Sequence, residues 1–430
     1  MSGNCEEARQ ADLAARVAGA LGLSRVTLEN LSPGTSRGAV RVLGPAGEPA
    51  AFLRVDLGLG DLDGTHLSLA DEMQVVRRAR ALGLPVPEVI AMLDDPATAV
   101  MELARGTARP SAEEAEAVGP EYMGHIARLH RADPAEFGLA APPTITAALL
   151  EDIAAHEAEA VRRGIARNPL VRLGLRILRE TLPRSEAAPA MLHGDVGAGN
   201  FMTEGGKVSA ILDWELAHAG DFHEDLAWLW VRGAHTAFGE PGQRLAEYEA
   251  AAGRAAEPAR LDWQIAFVTL KSVIGLGRRL YGEDEDPGLL PIRIAGLTYD
   301  VLFCAALAKL LGLTVADLAE EPEFENTPEA RLVQTLRLLD PPGGREAEVL
   351  LNHLAADAAQ RPWRERRLRE DVRARLAAHA DDLDGLVDTA PAARLPELLT
   401  VVAADAWRRC KALPNAERRV RRALAIGLGQ

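Results

Sequence analysis

The order of β-like and helical segments restricts the fold of this chain more than any other feature. Residues 24–103 contain short runs rich in Val and Leu, separated by turn-forming segments such as SPGTSR and GPAGEP, which predicts antiparallel strands. One helix interrupts them, with Ser68 as its N-terminal cap and Gly83 just past its end. From about residue 112 onward the periodicity is helical, apart from a β-like interlude at 190–213, where GNFM and VSAILD are strand-like around the turn TEGGK and predict a hairpin. The chain is therefore predicted to be an α+β protein, with a small antiparallel sheet followed by a mainly helical remainder.

The length of the chain predicts more than one compact unit. Its 430 residues exceed what one ordinary hydrophobic core holds, and two or three units are expected. A stretch rich in Pro and Glu at 320–330, together with PPGG just after it, marks a boundary. The expected division is an N-terminal helix at 6–22 with the small sheet (1–103), a helical unit with the β interlude (104–324), and an all-helical extension of unknown role (325–430).

The composition excludes several classes of protein. The net charge of −15 argues against a nucleic-acid-binding protein, which needs a basic surface. No apolar run reaches the roughly 18 residues of a membrane span, and the N-terminus does not resemble a signal peptide. The three cysteines, Cys5, Cys304 and Cys410, are too far apart for a disulfide framework or a zinc site. We therefore expect a cytoplasmic protein with neither nucleic acid nor membrane as a partner, and the oligomeric state stays open.

The segment from His193 to Asp225 carries the chemistry of this chain. It contains HGDVGAGN, then ILDWE, then GDFHEDLA. Phosphoryl transfer needs a carboxylate for the proton of the attacking hydroxyl and oxygen ligands for Mg²⁺ on the nucleotide phosphates. Asp195 is the candidate for the first task, while Asn200 and Asp213, which ends the apolar strand VSAIL, are candidates for the second. The segment therefore predicts a Mg²⁺-dependent phosphotransferase site.

This combination of motifs resembles a known family. HGDxxxxN followed by ILDWE is similar to the aminoglycoside phosphotransferase and choline kinase-like branch of the protein-kinase fold, over about residues 24–300. The resemblance implies a bilobal fold, with a small antiparallel β N-lobe and a mainly helical C-lobe. It also implies that ATP or GTP donates a phosphoryl group to a hydroxyl of a small molecule. His193 and Asp225 match the residues that support the catalytic loop in this family, and Asp213-Trp214-Glu215 stands where protein kinases carry Asp-Phe-Gly.

The resemblance also implies nucleotide contacts in the N-terminal region. A short turn would cover the phosphates with its backbone N–H groups, and a hinge would bind the base through its backbone. These contacts are Ser32, Gly34 and Ser36 in the phosphate-covering loop, Glu72 as the glutamate that pairs with a strand cation, and Glu102 and Leu103 in the hinge.

One departure from the family concerns the third strand. Protein kinases carry a lysine there, whereas the first lysine of this chain is Lys207. In a pleated strand Leu53 and Val55 share one face, so Arg54 lies on the other and is expected to contact the α- and β-phosphates and Glu72. Arginine binds phosphate as a planar fork rather than as a point charge. The departure leaves two hypotheses open, an active kinase and a catalytically impaired kinase-like protein that binds a nucleotide or a metabolite.

The identity of the phosphoryl acceptor also stays open. The resemblance allows aminoglycosides, macrolides, hydroxyacyl thioesters, choline-like alcohols and sugars as acceptors. The Leu-Arg pair of the third strand resembles the branches of the family linked to acyl-CoA metabolism, whereas the acidic charge suits a cationic aminoglycoside.

A metallohydrolase is the alternative class of enzyme, because His and Asp clusters bind transition metals. Its candidates are His193, His218 and His223 with Asp195, Asp221 and Asp225, although His218 and His223 are predicted to lie in a helical or turn region.

Overall fold

A computed structural model describes residues 3–31, 37–56, 67–233, 238–281, 290–313, 323, 325, 327–332, 345–411 and 414–425. The strands are β1 (Thr27–Asn30), β2 (Gly38–Leu43), β3 (Pro49–Val55), β4 (Val89–Leu93), β5 (Thr98–Met101), β6 (Ala190–Leu192), β7 (Phe201–Glu204), β8 (Lys207–Ile211) and β9 (His218–Gly220). The α-helices are α1 (Gly3–Leu21), α2 (Leu69–Ala81), α3 (Ala112–Leu129), α4 (Ile145–Arg162), α5 (Pro169–Glu180), α6 (His223–Gly233), α7 (Pro241–Ala252), α8 (Pro258–Tyr281), α9 (Leu290–Leu310), α10 (Arg345–Asp371), α11 (Leu383–Thr389), α12 (Leu395–Lys411) and α13 (Pro414–Ala425).

The first five strands form one antiparallel sheet, as the sequence predicts, and the structure pairs them in the order β1-β2-β3-β5-β4. Alternation along β3 buries Leu53 and Val55 in a core cluster to which α1 contributes Leu13 and Val17. Arg54 therefore lies on the opposite face of the strand. The apolar residues that alternate with Arg54 thus determine where its guanidinium can reach.

Helix α2 begins where the sequence places it. Ser68 adopts an extended conformation, and its side chain accepts a hydrogen bond from the backbone N–H of Asp71, which confirms the predicted N-terminal cap. Glu72, in the first turn, is only 1% exposed. A buried carboxylate needs partners, so Glu72 is not a solvated helix residue, and its surroundings belong to the candidate site.

A β-hairpin and a short strand pair surround the HGDVGAGN segment. Strands β7 and β8 pair across Gly205 and Gly206, which both have positive φ, so the predicted hairpin is confirmed. Strand β6 pairs with β9, which the sequence did not predict. The prediction of a helical or turn region for His218 was wrong, because its three-residue strand is too short to show a period and is defined by pairing with β6.

Contacts between Cα atoms divide the chain into two compact units. Unit 1 comprises Met1–Leu149, Glu186–Arg232 and Thr236–Ala256, and unit 2 comprises Leu150–Ser185, Gly233–His235 and Glu257–Gln430. In unit 2, Trp263 donates from its indole to the carbonyl of Leu178 at 3.1 Å, which ties α8 to α5. Among the described residues, no helix combines the length and the hydropathy needed to cross a membrane.

Candidate active site

The loop at residues 193–200, which the sequence predicts to be the catalytic loop, is anchored by one buried carboxylate. Asp225, near the start of α6, accepts the backbone N–H groups of His193 at 2.9 Å and Gly194 at 2.8 Å. Its Oδ2 also lies 2.8 Å from Nε2 of His130. Burial alone would raise the pKa of Asp225, but the bond with His130 and the backbone donors hold this pKa below its usual range. The carboxylate therefore remains charged and fixes the start of the loop.

The loop requires glycine at its second residue. Gly194 has φ of +84°, and a Cβ on it would lie 2.2 Å from the carbonyl oxygen of Leu216. The neighbouring His193 is fully buried and connects the loop to the end of β8. Its Nδ1 accepts the backbone N–H of Asp195, so Nε2 carries the proton and donates to the carbonyl of Leu212 at 2.9 Å. Local backbone geometry thus explains the His-Gly-Asp sequence.

The side chains of Asp195 and Asn200 form a hydrogen bond with each other within this loop. The amide nitrogen of Asn200 donates to the carboxylate of Asp195 at 2.6 Å and to its backbone carbonyl at 2.9 Å. A third residue, Arg232, completes the group, with Nη1 at 2.5 and 2.6 Å from the two carboxylate oxygens of Asp195. Sequence analysis did not identify Arg232, because nothing in the pattern of α6 distinguishes this arginine from the many others in the chain.

Asp213 lies beside Asn200 because of strand pairing. The backbone N–H of Leu212 donates to the carbonyl of Asn200 at 2.8 Å, which extends the β7–β8 ladder to the residue before Asp213. Asp213 itself has φ of 67° and ψ of 58° and is 39% exposed. A left-handed conformation for a non-glycine residue often marks a functional position. Both sequence-predicted metal ligands therefore lie at the same end of one hairpin.

Arg54 connects the sheet to this hairpin. Its Nε lies 3.1 Å from Glu72, its Nη1 lies 2.9 Å from Asp213, and its Nη2 lies 2.9 Å from Glu215. Burial would lower the pKa of the guanidinium, but the three carboxylates raise it above the ordinary value. The ion pair with Glu72 that the sequence predicts is present, and Arg54 also contacts a predicted metal ligand.

Glu72 is held between two arginines. Arg37 places Nε 3.4 Å from the second carboxylate oxygen of Glu72, and its other nitrogens donate to Asp56 at 2.9 Å and to the carbonyl of Leu67 at 3.1 Å. Burial raises the pKa of Glu72 to about 7, against the opposing effect of Arg54. Sequence analysis missed Arg37. Arg37 lies just before β2 and Glu72 lies in α2, and periodicity does not report which residues of separate elements meet.

A cavity of about 510 Å³ adjoins the hinge in unit 1. Its lining includes the apolar side chains of Leu84, Val86 and Val208, the hinge residues Glu102 and Leu103, and charged side chains such as Arg80 and Glu121. The backbone N–H of Glu102 donates to the carbonyl of Glu88, and its carboxylate lies 3.3 Å from the backbone nitrogen of Glu88. The N–H and the side chain of Glu102 are thus used within the hinge, and the cavity combines apolar side chains with polar groups, as a site for a planar base requires.

Two groups of residues predicted from the sequence are absent from this site. One group lies outside the described residues, and the other is not brought together by the fold. Ser32, Gly34 and Ser36 lie outside the described residues. The histidines of the metallohydrolase alternative have different partners, which are Leu212 for His193, Leu216 for His218 and Asp221 for His223. Among the described residues, the six candidates for that alternative form no common ligand set.

Comparisons with known proteins identify the family and the fold of this chain. A family model described as the phosphotransferase enzyme family matches residues 27–263, which is more than half of the chain. The structure is similar to a protein assigned as an aminoglycoside phosphotransferase from Ralstonia eutropha JMP134, with 18% identity, a TM-score of 0.51, and coverage of 67% of this chain and 94% of that one. It is also similar to a thermostable mutant of aminoglycoside phosphotransferase APH(4)-Ia in ternary complex with ADP and hygromycin B, with 17% identity, a TM-score of 0.50, and coverage of 69% and 98%. The sequence matches no curated protein. At this identity the structural likeness establishes the kinase-like α+β fold that the sequence predicts.

Proposed function

Since this chain belongs to the phosphotransferase enzyme family, whose members are small-molecule kinases, we propose that it transfers a phosphoryl group from Mg²⁺-bound ATP or GTP to a hydroxyl of a small molecule. The observation that carries this proposal is the bonded pair of Asp195 and Asn200, joined through the β7–β8 hairpin to Asp213. A carboxylate beside two oxygen ligands of a divalent cation is the arrangement that phosphoryl transfer requires.

The nucleotide binds in the cavity next to the hinge in this proposal. The apolar side chains of Leu84, Val86 and Val208 suit the base, and the carbonyl of Glu102 with the backbone of Leu103 suits its polar edge. Arg54 is the candidate for the α- and β-phosphates, because its guanidinium lies next to Asp213. The APH(4)-Ia complex holds ADP and hygromycin B, which supports a nucleotide donor and a small-molecule acceptor here as well.

Asn200 and Asp213 are the residues that would hold Mg²⁺. Their amide and carboxylate oxygens are hard donors of the kind this ion prefers, and the exposed side of Asp213 leaves room for the water ligands that it keeps. When bound, Mg²⁺ neutralises charge on the phosphates. The chain's own contribution is to fix both oxygens at one end of a hairpin.

Asp195 accepts or orients the proton of the acceptor hydroxyl. The bonds from Asn200 and Arg232 fix its orientation, and Asp225 fixes the backbone on which it stands. Because the carboxylate is already held in this orientation, less conformational freedom is lost when the reactive geometry is reached. The acceptor proposed is an antibiotic such as an aminoglycoside or a metabolite such as a hydroxyacyl thioester.

One observation favours a second candidate, a catalytically impaired protein that binds a nucleotide or metabolite. Three carboxylates hold the guanidinium of Arg54, whereas phosphate binding requires it to turn at least one N–H group to the ligand. The two candidates share the fold and differ in whether the protein catalyses phosphoryl transfer from the Mg²⁺-nucleotide.

Thermal unfolding with ATP or GTP, with and without Mg²⁺, tests the nucleotide and metal site on which the proposal depends. A ligand that binds only the native state raises the midpoint, so we expect a rise that depends on Mg²⁺ and is lost in Asp213→Ala. Glu29→Ala, at a half-exposed position of β1 in the same unit, is the control and should keep the rise. The proposal fails if neither nucleotide shifts the wild-type midpoint.

A further inference from the structure

The last turn of α6 places the guanidinium of Arg232 directly on the catalytic loop. Nε and Nη2 both donate to the carbonyl of Ala198, at 3.3 and 2.9 Å. Nη1 bonds the carboxylate of Asp195, and Nη2 also lies 3.3 Å from Oδ1 of Asn200. Every nitrogen of this side chain is thus directed at one short segment of backbone and at the two side chains that segment carries.

Two glycines of the loop make room for this arginine. Gly197 has φ of +143°, and a Cβ there would lie 3.0 Å from Cδ of Arg232. Gly199 has φ of +100°, and a Cβ there would lie 2.9 Å from Nη2 of Arg232. Side chains at either position would be strained and would displace the guanidinium. The Val-Gly-Ala-Gly sequence between Asp195 and Asn200 therefore fits around Arg232.

The contact set requires the shape of arginine and not only its charge. A guanidinium presents five N–H donors in a rigid plane, whereas an ammonium presents three on a single atom. One lysine nitrogen cannot reach Ala198, Asp195 and Asn200 as three separate nitrogens do here. The side chain is 23% exposed, so it forms part of the wall of the site rather than of its core.

We propose that Arg232 is a positioning residue for phosphoryl transfer, which holds the carboxylate of Asp195 and the amide of Asn200 in one fixed arrangement. The inference rests on the proposed function, in which Asp195 and Asn200 serve as base and metal ligand. Effective catalysis needs the reacting groups held in a near-attack geometry, and a displacement of about 1 Å lowers rates by about 10²-fold. Without Arg232, Asn200 is the remaining hydrogen-bond donor to the carboxylate of Asp195 among the described residues, and the carboxylate can rotate.

The same geometry predicts an opposite effect on cation binding. Oδ1 of Asn200, the oxygen proposed for Mg²⁺, already lies 3.3 Å from a positively charged nitrogen. Two cations near one oxygen repel each other, so removing the charge of Arg232 should leave the affinity for Mg²⁺-nucleotide unchanged or raise it. A residue that merely supported the fold would lower affinity and rate together.

The experiment compares Arg232→Gln and Arg232→Lys with the wild type and with Arg131→Gln. Arg131 is the matched control, because its guanidinium donates to the carbonyl of Ala251 and not to the catalytic loop. Calorimetry measures the affinity for Mg²⁺-ATP, and released phosphate measures transfer to water, which needs no knowledge of the acceptor. We expect Arg232→Gln to bind at least as tightly as the wild type and to turn over about 10²-fold more slowly.

Arg232→Lys separates charge from shape. It should turn over more slowly than the wild type without the gain in affinity, and it carries the test if the glutamine variant does not fold. Equal and measurable turnover in the wild type and both variants would overturn the inference alone, as would a parallel loss of affinity and rate, whereas no turnover in the wild type would overturn the proposed function. Absence of Mg²⁺-nucleotide binding in the wild type would instead overturn the proposed function and, with it, this role of Arg232.

Discussion

Arg54 and Glu72 form a buried ion pair, with Nε of the arginine 3.1 Å from Oε1 of the glutamate. The pair joins strand β3 to helix α2, two segments of the N-terminal region that are separate in the sequence. Because Arg54 also reaches Asp213 and Glu215, this one guanidinium connects the sheet to the hairpin that carries the predicted metal ligands. Its charge therefore contributes to the stability of unit 1 as well as to the site.

Removal of the Arg54 charge should destabilise the protein. Arg54→Met leaves Glu72 with Arg37 as its remaining cation, and breaking a buried ion pair in this way costs about 3 kcal/mol. Urea unfolding should show this loss, and Arg54→Lys should show a smaller one. Arg41→Met is the control, since Arg41 lies 44% exposed on the neighbouring strand. A stability equal to the wild type in Arg54→Met would contradict the arrangement.

Substitution of Gly194 should be far more harmful than substitution of a glycine with similar φ elsewhere. Gly194→Ala forces a left-handed alanine, at about 1–2 kcal/mol, and also brings its Cβ against the carbonyl of Leu216. Gly205→Ala has a comparable φ of +60° with open space around the new Cβ. We expect a loss of about 3–5 kcal/mol for the first variant and about 1–2 kcal/mol for the second. Denaturant midpoints of the two variants, measured side by side, check the difference.

Stability should fall in mild acid because of His130. Burial lowers the pKa of this imidazole, although Asp225 opposes the shift. The unfolded chain therefore takes up a proton below about pH 6.5 that the folded protein does not, and folding stability decreases as the pH drops through this window. The slope contributed by this one residue is at most about 1.4 kcal/mol per pH unit.

Unfolding of the wild type and His130→Gln between pH 7.5 and pH 5 measures this contribution. The variant should show a shallower dependence of stability on pH, even though it lacks the bonds of His130 to Asp225 and Tyr248. His379→Gln is the control for loss of an exposed histidine. Identical slopes in wild type and His130→Gln would show that this histidine is not held neutral.

Asp195→Asn should separate turnover from binding. The amide retains the size of the side chain but cannot accept the proton of a hydroxyl, so turnover on a confirmed acceptor should fall by about 10²–10⁴-fold. Nucleotide affinity should change little, because the hinge cavity and Arg54 lie elsewhere in unit 1. Steady-state kinetics together with calorimetry measure both quantities, and full activity in this variant would remove Asp195 from the proposed role.

Sequence alone predicted the parts of this protein that depend on neighbours along the chain. The cap at Ser68, the hairpin that carries Asp213, and the face of β3 from which Arg54 projects all follow from spacing and period. The pair of Asp195 and Asn200 lies within one short loop, so its residues were also visible in the motif. The first helix was predicted at 6–22 and begins slightly earlier, at Gly3, with its end at Leu21.

Packing between distant segments determines which side chains complete the site. Arg232 reaches Asp195 from 37 residues away, and His130 reaches Asp225 from 95 residues away. Periodicity reports which side of a helix or strand is buried, but it carries no information about which charged residue of another segment it will meet. Arginine is common in this chain, so composition did not single out Arg37 or Arg232 either. Their partners were fixed by the packing of separate elements, since a buried carboxylate is stable only where the fold brings a cation or N–H donors to it.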